Sequence, residues 1–109
     1  MATREELSQV FSQMVTRFKP EKAEGVDATI QFDLSGENGG MYWIKIENGA
    51  CTAGEGAVDN PKLTVSASGD AWFDIASGKA NVMQAFMGGK LKVKGDMGLG
   101  MKLQSMFGL

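Results

Sequence analysis

The sequence contains no histidine, and its 109 residues include only one cysteine, Cys51, and two prolines. Without histidine, neither a Ser-His nor a Cys-His nucleophile can form, and the commonest general base and metal ligand is missing. One cysteine excludes an intramolecular disulfide, which favours a reducing compartment. Cys51 has no activating base beside it, so a small buried hydrophobe explains it better than a nucleophile. We expect no catalytic residue, no metal and no cofactor.

Long apolar runs are also missing. No segment is long enough to span a bilayer, and the chain begins with a charged stretch rather than an apolar signal core. The formal net charge is -2, which argues against a nucleic-acid partner because counterion release needs a clustered basic surface. No glycine pattern typical of a phosphate-binding loop follows a strand. We expect one cytoplasmic domain that covers residues 1–109, since a chain of this length holds one core.

A helix is predicted at the start of the chain. Thr3 and Glu6 form a capping box of the T-x-x-E type, and apolar residues follow at helical spacing. Phe11 and Met14 belong to this apolar face. Lys19-Pro20 ends the run, because the residue before proline disfavours helical geometry.

The rest of the chain predicts five strands and three further helices. Alternation of apolar and polar residues marks strands at 26–34, 41–47, 50–55, 62–67 and 90–94. Asn48-Gly49 is typical of a type I′ hairpin, which joins the second strand to the third. Ser68 and Asn81 are placed to cap two short helices, and a last helix covers 97–107. The predicted fold class is α+β, with a five-stranded, mixed, mostly antiparallel sheet and helices packed on one face.

Methionine is unusually frequent, and five of the eight methionines lie in the last quarter of the chain. Methionine adapts to irregular apolar shapes and is common where a surface fits several partners. The last two helices carry apolar residues on more than one face, and such helices must bury both faces against protein, a ligand or a membrane. On pattern alone, a methionine-rich core explains these residues better than a pocket does.

Two charged groups are candidates for chemistry or binding. Asp70 and Asp74 share a face of one helix, but the helix dipole and solvation explain them better than catalysis does. Lys90, Lys92 and Lys94 form a one-sided basic ladder on the fifth strand. This ladder is suited to attract an anionic head group or an anionic membrane face, or to protect an edge strand from aggregation. Both interpretations stay open.

The C-terminal half resembles a known family. The run from Gly89 to Gln104 is similar to the hallmark segment of the sterol carrier, or non-specific lipid transfer, family. Other segments fall at the family's spacing or look like its second strand: Gly78-Lys79, Asn81, Ala85-Phe86 and Tyr42 to Gly49. The first helix and first strand match by pattern only.

The resemblance implies an apolar tunnel between the sheet and the helices, with no need for a metal or a catalytic residue. It implies fatty acids, fatty acyl-CoA, phospholipids or sterols as ligands, and transient membrane contact during lipid transfer. Tunnel residues carried over from matching segments are Phe86, Met97, Leu99, Met101 and Leu103. Residues added because of their helical facing are Trp72, Phe73, Met83 and Met87. Phe11 and Met14 of the first helix are also expected to bind the lipid. Lys90, Lys92 and Lys94 are the expected approach for a head group.

The sequence departs from the family pattern at two glycines and at its end. Gly88 and Gly100 stand where the family often has larger side chains, which is expected to widen the tunnel or loosen its helices. The final tripeptide is not the peroxisomal signal of some members. Two alternatives to a carrier remain: an accessory module that presents acyl substrates to an enzyme, and an interaction domain that docks a partner through the methionine-rich last helix.

Overall fold

The computed structural model describes residues 2–109 and contains five strands, four α-helices and one short 3-10 turn. In chain order these are α1 (Arg4–Arg17), the 3-10 turn (Pro20–Lys22), β1 (Ala28–Ser35), β2 (Gly40–Glu47), β3 (Ala50–Glu55), β4 (Leu63–Ser68), α2 (Gly69–Ala76), α3 (Val82–Met87), β5 (Leu91–Gly95) and α4 (Met97–Phe107). The strand order is β3-β2-β1-β4-β5. Only the β1–β4 pair is parallel. The predicted α+β class, with a mixed, mostly antiparallel sheet, is confirmed.

The first helix is held at both ends by side-chain hydrogen bonds. Thr3 Oγ1 accepts from the Glu6 amide at 3.1 Å, and Glu6 Oε1 accepts from the Thr3 amide at 3.0 Å, so the predicted capping box is present. At the other end, the Arg17 guanidinium donates to the carbonyl oxygens of Ala76, at 2.8 Å, and Gly108, at 3.0 Å. Arg17 therefore ties α1 to the C-terminal ends of α2 and α4, where carbonyl oxygens lack helical partners.

The sheet is apolar on one face only. The predicted hairpin is present, with φ of 54° at Asn48 and 75° at Gly49, both in the left-handed region that a type I′ turn requires. Alternate residues of each strand form cross-strand rows, and one row runs through Tyr42, Phe32, Val65 and Val93. All four helices lie against this apolar side.

Four aromatic side chains join the first two helices to the central strands. Phe11 of α1 stacks on Tyr42 with ring centroids 4.5 Å apart and meets Phe32 edge-on at 5.1 Å. Trp72 of α2 lies 4.9 Å from Phe32. Aromatic pairs in these geometries contribute about 0.5–1.5 kcal/mol each beyond the area they bury. This cluster covers β1 and β2, the centre of the apolar face.

The opposite face of the sheet is open, except where a connection crosses it. Gln31 on this face is only 4% exposed. Its amide nitrogen donates to the carbonyl oxygens of Tyr42, at 2.7 Å, and Gly56, at 3.0 Å, and its oxygen accepts from the Val58 amide at 2.7 Å. These bonds hold the β3–β4 connection against the sheet, and they explain how a polar residue in an alternating strand becomes buried.

Trp72 generates a stability prediction, because its indole nitrogen is buried and finds no acceptor among the described residues. An unsatisfied buried donor costs about 1–3 kcal/mol. Trp72→Ala removes the whole ring, and we expect it to lower the free energy of unfolding by about 3–5 kcal/mol. Trp72→Phe also removes the orphan donor, so we expect a free energy of unfolding within about 1 kcal/mol of wild type. Urea denaturation measures both, and equal losses would contradict this account of the buried nitrogen.

Candidate functional site

An open apolar crevice separates α3 from α4, with β5 as its floor. Its volume is ≈ 120 Å³. Most of its lining residues are large and apolar; the lining consists of Val82, Met83, Phe86, Leu91, Val93, Met97, Gly100, Met101 and Gln104. We call this feature the α3–α4 crevice. Crevices with apolar walls and few polar groups are typical of sites for apolar ligands.

The last helix presents two apolar sides, as the sequence predicted. Leu99, Leu103 and Phe107 are on the side of α4 that is buried in the core. Met97 and Met101 lie on a neighbouring stripe and line the crevice, where they remain 48% and 79% exposed. The protein thus buries one side of α4 and leaves the other at the crevice.

Gly100 lines the crevice at the point where α4 lies close to the sheet. A β-carbon on this residue would lie 3.5 Å from Cγ1 of Val93, in ordinary van der Waals contact. The same β-carbon would lie 3.8 Å from Cδ1 and 3.9 Å from Cδ2 of Leu63, so a larger side chain would press against the strand residues at this edge of the crevice. Gly88, the other glycine singled out from the sequence, forms the C-cap of α3 and does not line the crevice.

The other wall of the crevice, α3, makes few buried contacts with the rest of the protein. It has six residues, of which only Ala85 is buried. The Asn81 side chain caps it by accepting from the amides of Met83 and Gln84, as predicted. After the helix, Gly89 has a φ of 78°, a left-handed conformation that turns the chain into β5. Elements with few buried contacts open at low free-energy cost.

The sequence-predicted tunnel residues fall into three groups. Four of them line the crevice: Met83, Phe86, Met97 and Met101. Five are buried in the core beyond it: Phe11, Met14, Trp72, Leu99 and Leu103. Two lie elsewhere. Phe73 is half-buried beneath the Lys79 ammonium, 5.8 Å from its ring centroid, and Met87 is 80% exposed outside the crevice. Sequence reasoning missed Val82, Leu91, Val93 and Gln104, although the alternation of β5 already placed Leu91 and Val93 on the apolar face.

The basic ladder does not share a face with the crevice. Lys90, Lys92 and Lys94 are all exposed, and Lys92 and Lys94 stand opposite Ser66 and Thr64 on the open face of the sheet. β5 is an edge strand, so side chains from both of its faces reach the same boundary of the molecule. The lysines predicted to contact a lipid head group therefore lie on one face of the β5 edge strand, and the crevice lies on the other.

Other cavities are less suited to an apolar ligand. A wider depression of ≈ 590 Å³ lies between the 3-10 turn and the β2–β3 hairpin. Three carboxylates, those of Glu21, Glu24 and Asp27, line it. Their desolvation by an apolar chain would be costly, so volume alone does not identify the site.

The titratable groups offer no activated nucleophile. Burial raises the pKa of the Cys51 thiol to about 11, so the thiol is neutral near pH 7. Burial, reinforced by Glu55 and opposed by Arg4, raises the pKa of the Tyr42 hydroxyl. Asp70 accepts a hydrogen bond from the Ala2 amide at 2.6 Å, which gives this carboxylate a structural contact.

Metal-binding clusters and membrane-spanning helices are both missing from the described part of the chain. Within residues 2–109, no three Cys, Asp or Glu side chains are grouped so that they could hold a metal ion. No helix in this range combines the length and apolar character needed to cross a bilayer.

Comparison with known proteins finds relatives for nearly the whole chain. Hydroxysteroid dehydrogenase-like protein 2 of Xenopus tropicalis is 35% identical over 104 residues, which cover 94% of this chain and 25% of the relative. Its counterpart in Danio rerio is 31% identical with the same coverage. The chain therefore spans about a quarter of the length of these curated relatives.

A solved structure and a family model agree with these relatives. The sterol carrier protein domain 2 of Helicoverpa armigera superimposes with a TM-score of 0.70 and 28% identity, over 93% of this chain and 81% of that one. A sequence model described as the SCP-2 sterol transfer family matches residues 7–108. This match spans every strand and nearly all of every helix, and we conclude that the chain belongs to the SCP-2 sterol transfer family.

Proposed function

We propose that this chain is a non-catalytic lipid carrier that takes the apolar part of its ligand into the α3–α4 crevice. The ligands proposed are fatty acids, fatty acyl-CoA, phospholipids and sterols, moved between membranes or to enzymes. The observation that carries the proposal is the apolar crevice at the methionine-rich side of α4, in a chain of the sterol transfer family. The sequence has no histidine. The raised pKa values of Cys51 and Tyr42 keep both side chains neutral near pH 7, which supports a non-catalytic role.

The crevice must widen to hold a lipid tail. Its ≈ 120 Å³ is below the roughly 300–1,000 Å³ typical of small-molecule sites. α3 is the element best able to move, because Ala85 is its one buried residue. The flexible side chains of Met83, Met97 and Met101 can refill the space when no lipid is bound.

A widened crevice would lead into the core along one row of the sheet. Val93 at the crevice floor is followed across the strands by Val65 and then by Phe32. Two strand spacings, about 10 Å, separate Val93 from Phe32. Trp72 and Phe11 lie on Phe32. Such a path would connect the crevice with Phe11 and Trp72, two of the residues predicted to line the tunnel, which are buried in the core.

The energetics suit reversible loading. A tail with about 14 buried methylenes gains roughly 11 kcal/mol at about 0.8 kcal/mol each. Association costs of at least about 4 kcal/mol oppose this gain, as does the opening of the crevice. The remainder corresponds to roughly micromolar binding or weaker. Apolar contacts are non-directional, so broad ligand tolerance is expected.

A second candidate function is delivery of lipid to an enzyme by direct docking. The curated relatives carry this domain within a protein about four times as long, named for its likeness to a hydroxysteroid dehydrogenase. The exposed methionines of α4 offer an apolar surface for such a contact. A stable complex with a dehydrogenase in co-purification, lost on Met101→Ser, would favour this function over free transfer between membranes.

Lipid entry into the core predicts a fluorescence change at one tryptophan and not at the other. Trp72 is buried in the core, whereas Trp43 lies half-buried on the open face of the sheet, packed over Gly54. In Trp43→Phe, titration with palmitic acid should change the emission of Trp72 and saturate at micromolar concentration. In the matched Trp72→Phe protein, the emission of Trp43 should stay constant. A change confined to Trp43 would place the lipid on the open face and contradict the proposal.

Substitutions at Gly100 test the crevice itself. Gly100→Ala adds one methyl group in ordinary contact with Val93 and should raise helix stability by up to about 1 kcal/mol, with fatty-acid affinity within about twofold of wild type. Gly100→Leu adds a bulky side chain to the crevice lining, against Val93 and Leu63, and should weaken the binding of a fluorescent fatty acid by at least about tenfold. Thermal unfolding confirms that both variants fold. Wild-type affinity in the folded Leu variant would place the tail elsewhere.

A further inference from the structure

The sheet has two edge strands, and they differ in how well they are protected against pairing with another chain. β5 carries Lys92 and Lys94, whereas β3 consists of small residues up to its terminal Glu55. Lysine, proline and β-bulges are common means of keeping an edge strand from pairing. Residues 50–54 contain no lysine or proline, and they pair with β2 in a regular register without a bulge. β3 is therefore an unprotected edge.

The pairing of β3 with β2 shows which of its backbone groups are already used. The Asn48-Gly49 turn makes Glu47 and Ala50 a hydrogen-bonded pair, and such pairs recur at every second position of an antiparallel ladder. Beyond the other end of β3, the Gly56 amide donates to the Met41 carbonyl oxygen at 2.8 Å, which agrees with this alternation. The even-numbered residues of β3 therefore bind β2, and the odd-numbered residues point their backbone groups away from it.

Three residues of β3 direct their N–H and C=O groups toward the free side of the strand: Cys51, Ala53 and Glu55. Among the described residues, neither a further strand nor a backbone group of a loop pairs with them. The segment after β3 does not shield them, because it crosses the open face from Gly56, where Gln31 binds it. Cys51 and Ala53 are only half-buried, so α1 does not close over this edge.

The helix nearest to this edge lacks charge, beyond its first turn, on the flank that faces β3. The backbone of α1 comes closer to β3 than to any other strand. Its other flank faces α2, where Arg17 donates a hydrogen bond and Glu6 lines a shared cavity. Helical spacing places Ser8, Ser12 and Val15 on the flank toward β3. Depletion of charged residues is typical of the core of a protein interface.

We infer that β3 pairs with β3 of a second copy of this chain, antiparallel, about a two-fold axis between the two Ala53 residues. In this register Ala53 faces Ala53, and Cys51 of each copy faces Glu55 of the other. All six free groups of each strand find partners, which gives six hydrogen bonds between the copies. Directly opposite residues share a face of the sheet, so both helix layers lie on the same side of one ten-stranded sheet.

The strand is complementary to itself in this register and less so in others. A slip by two residues places Cys51 or Glu55 of each copy opposite a residue outside the strand, and four hydrogen bonds remain. A slip by one residue sets free groups against groups that already bind β2. In the proposed register the two Glu55 residues lie about 13 Å apart along the strand, so their charges do not meet. Closed two-fold dimers are the commonest symmetric assembly of such self-complementary surfaces.

Dimerisation through β3 leaves the proposed lipid site accessible. β5 is the edge opposite β3, so the α3–α4 crevices lie at the two far ends of the joined sheet. One short strand and one helix flank from each copy make a small interface, and a weak dimer is expected. The inference does not depend on lipid binding, and the two proposals fail separately.

Sedimentation equilibrium tests the pairing. Wild-type protein between about 10 µM and 1 mM should show a monomer–dimer equilibrium. Ala53→Pro removes an N–H group that points away from β2, so β3 can stay in the sheet while the dimer weakens at least about tenfold. Thermal unfolding checks that this variant folds. Wild-type protein that is monomeric at 1 mM would overturn the inference.

Cysteine cross-linking tests the register without proline. The two Ala53 α-carbons would lie about 5.5 Å apart, within the range that a disulfide spans, so C51A/A53C should form a covalent dimer on oxidation. The matched control is C51A/T52C, whose cysteines would be offset by two residues, about 8 Å apart. This control should stay monomeric, although residue 52 is the more exposed. Equal cross-linking of both variants would contradict the register.

Added charge on α1 tests the helix flank. S8E/S12E brings like charges together across the two-fold axis and should weaken the dimer at least about fivefold. Q9E/Q13E has the same net charge but lies on the sides of α1 away from β3, so the dissociation constant should stay within about twofold of wild type. A dimer that neither Ala53→Pro nor S8E/S12E weakens would use another surface and would overturn the inference.

Discussion

The apolar face of the sheet has to be covered from one side by only four helices, and the coverage weakens toward β5. Over β1 and β2, Phe11 and Trp72 pack on Phe32 with ring centroids 5.1 and 4.9 Å away. Over β5 the cover consists of α3, with one buried residue, and the glycine- and methionine-bearing side of α4. The crevice is the place where this cover is incomplete. A firm core beside a loosely covered edge allows the protein to open locally without unfolding.

The flexibility of the methionine side chains explains why the chain tolerates an apolar crevice. Partial exposure of a methionine costs less free energy than partial exposure of a rigid aromatic ring, because the flexible thioether can fold back over neighbouring apolar atoms. Gly100 leaves room for little more than a methyl group between α4 and Val93, at the cost of helix propensity. Stability and the proposed capacity for lipid therefore oppose each other here only for side chains larger than alanine. A side chain that filled the crevice would improve the helix and remove the proposed site.

Much of the fold could be predicted from the sequence, because local signals were unambiguous. The Thr3–Glu6 capping box, the Asn48-Gly49 turn and the alternation in the strands each act over a few residues, and each is present. The parallel pairing of β1 with β4 and the burial of Gln31 were not predicted. Both depend on where a distant segment crosses the sheet, and periodicity within one strand carries no such information.

The candidate site was predicted less completely than the fold. Helical spacing shows that a residue is on an apolar stripe, but not whether that stripe meets the core or a crevice. Leu99 and Met101 illustrate this, since they lie two positions apart and only Leu99 is buried. The family resemblance of the run from Gly89 to Gln104 identified the fold and the family, and the comparisons confirm both. It did not separate core residues from crevice residues, because neighbouring helices decide that.

The central claim is that an apolar tail enters between α3 and α4, and the methionines allow it to be measured directly. In protein labelled with ¹³C at the methionine methyl groups, titration with palmitic acid should shift the resonances of Met83, Met97 and Met101. The resonance of Met41, on the far face of the sheet, should not move. Shifts confined to Met41, or no shifts at saturating palmitic acid, would contradict the account.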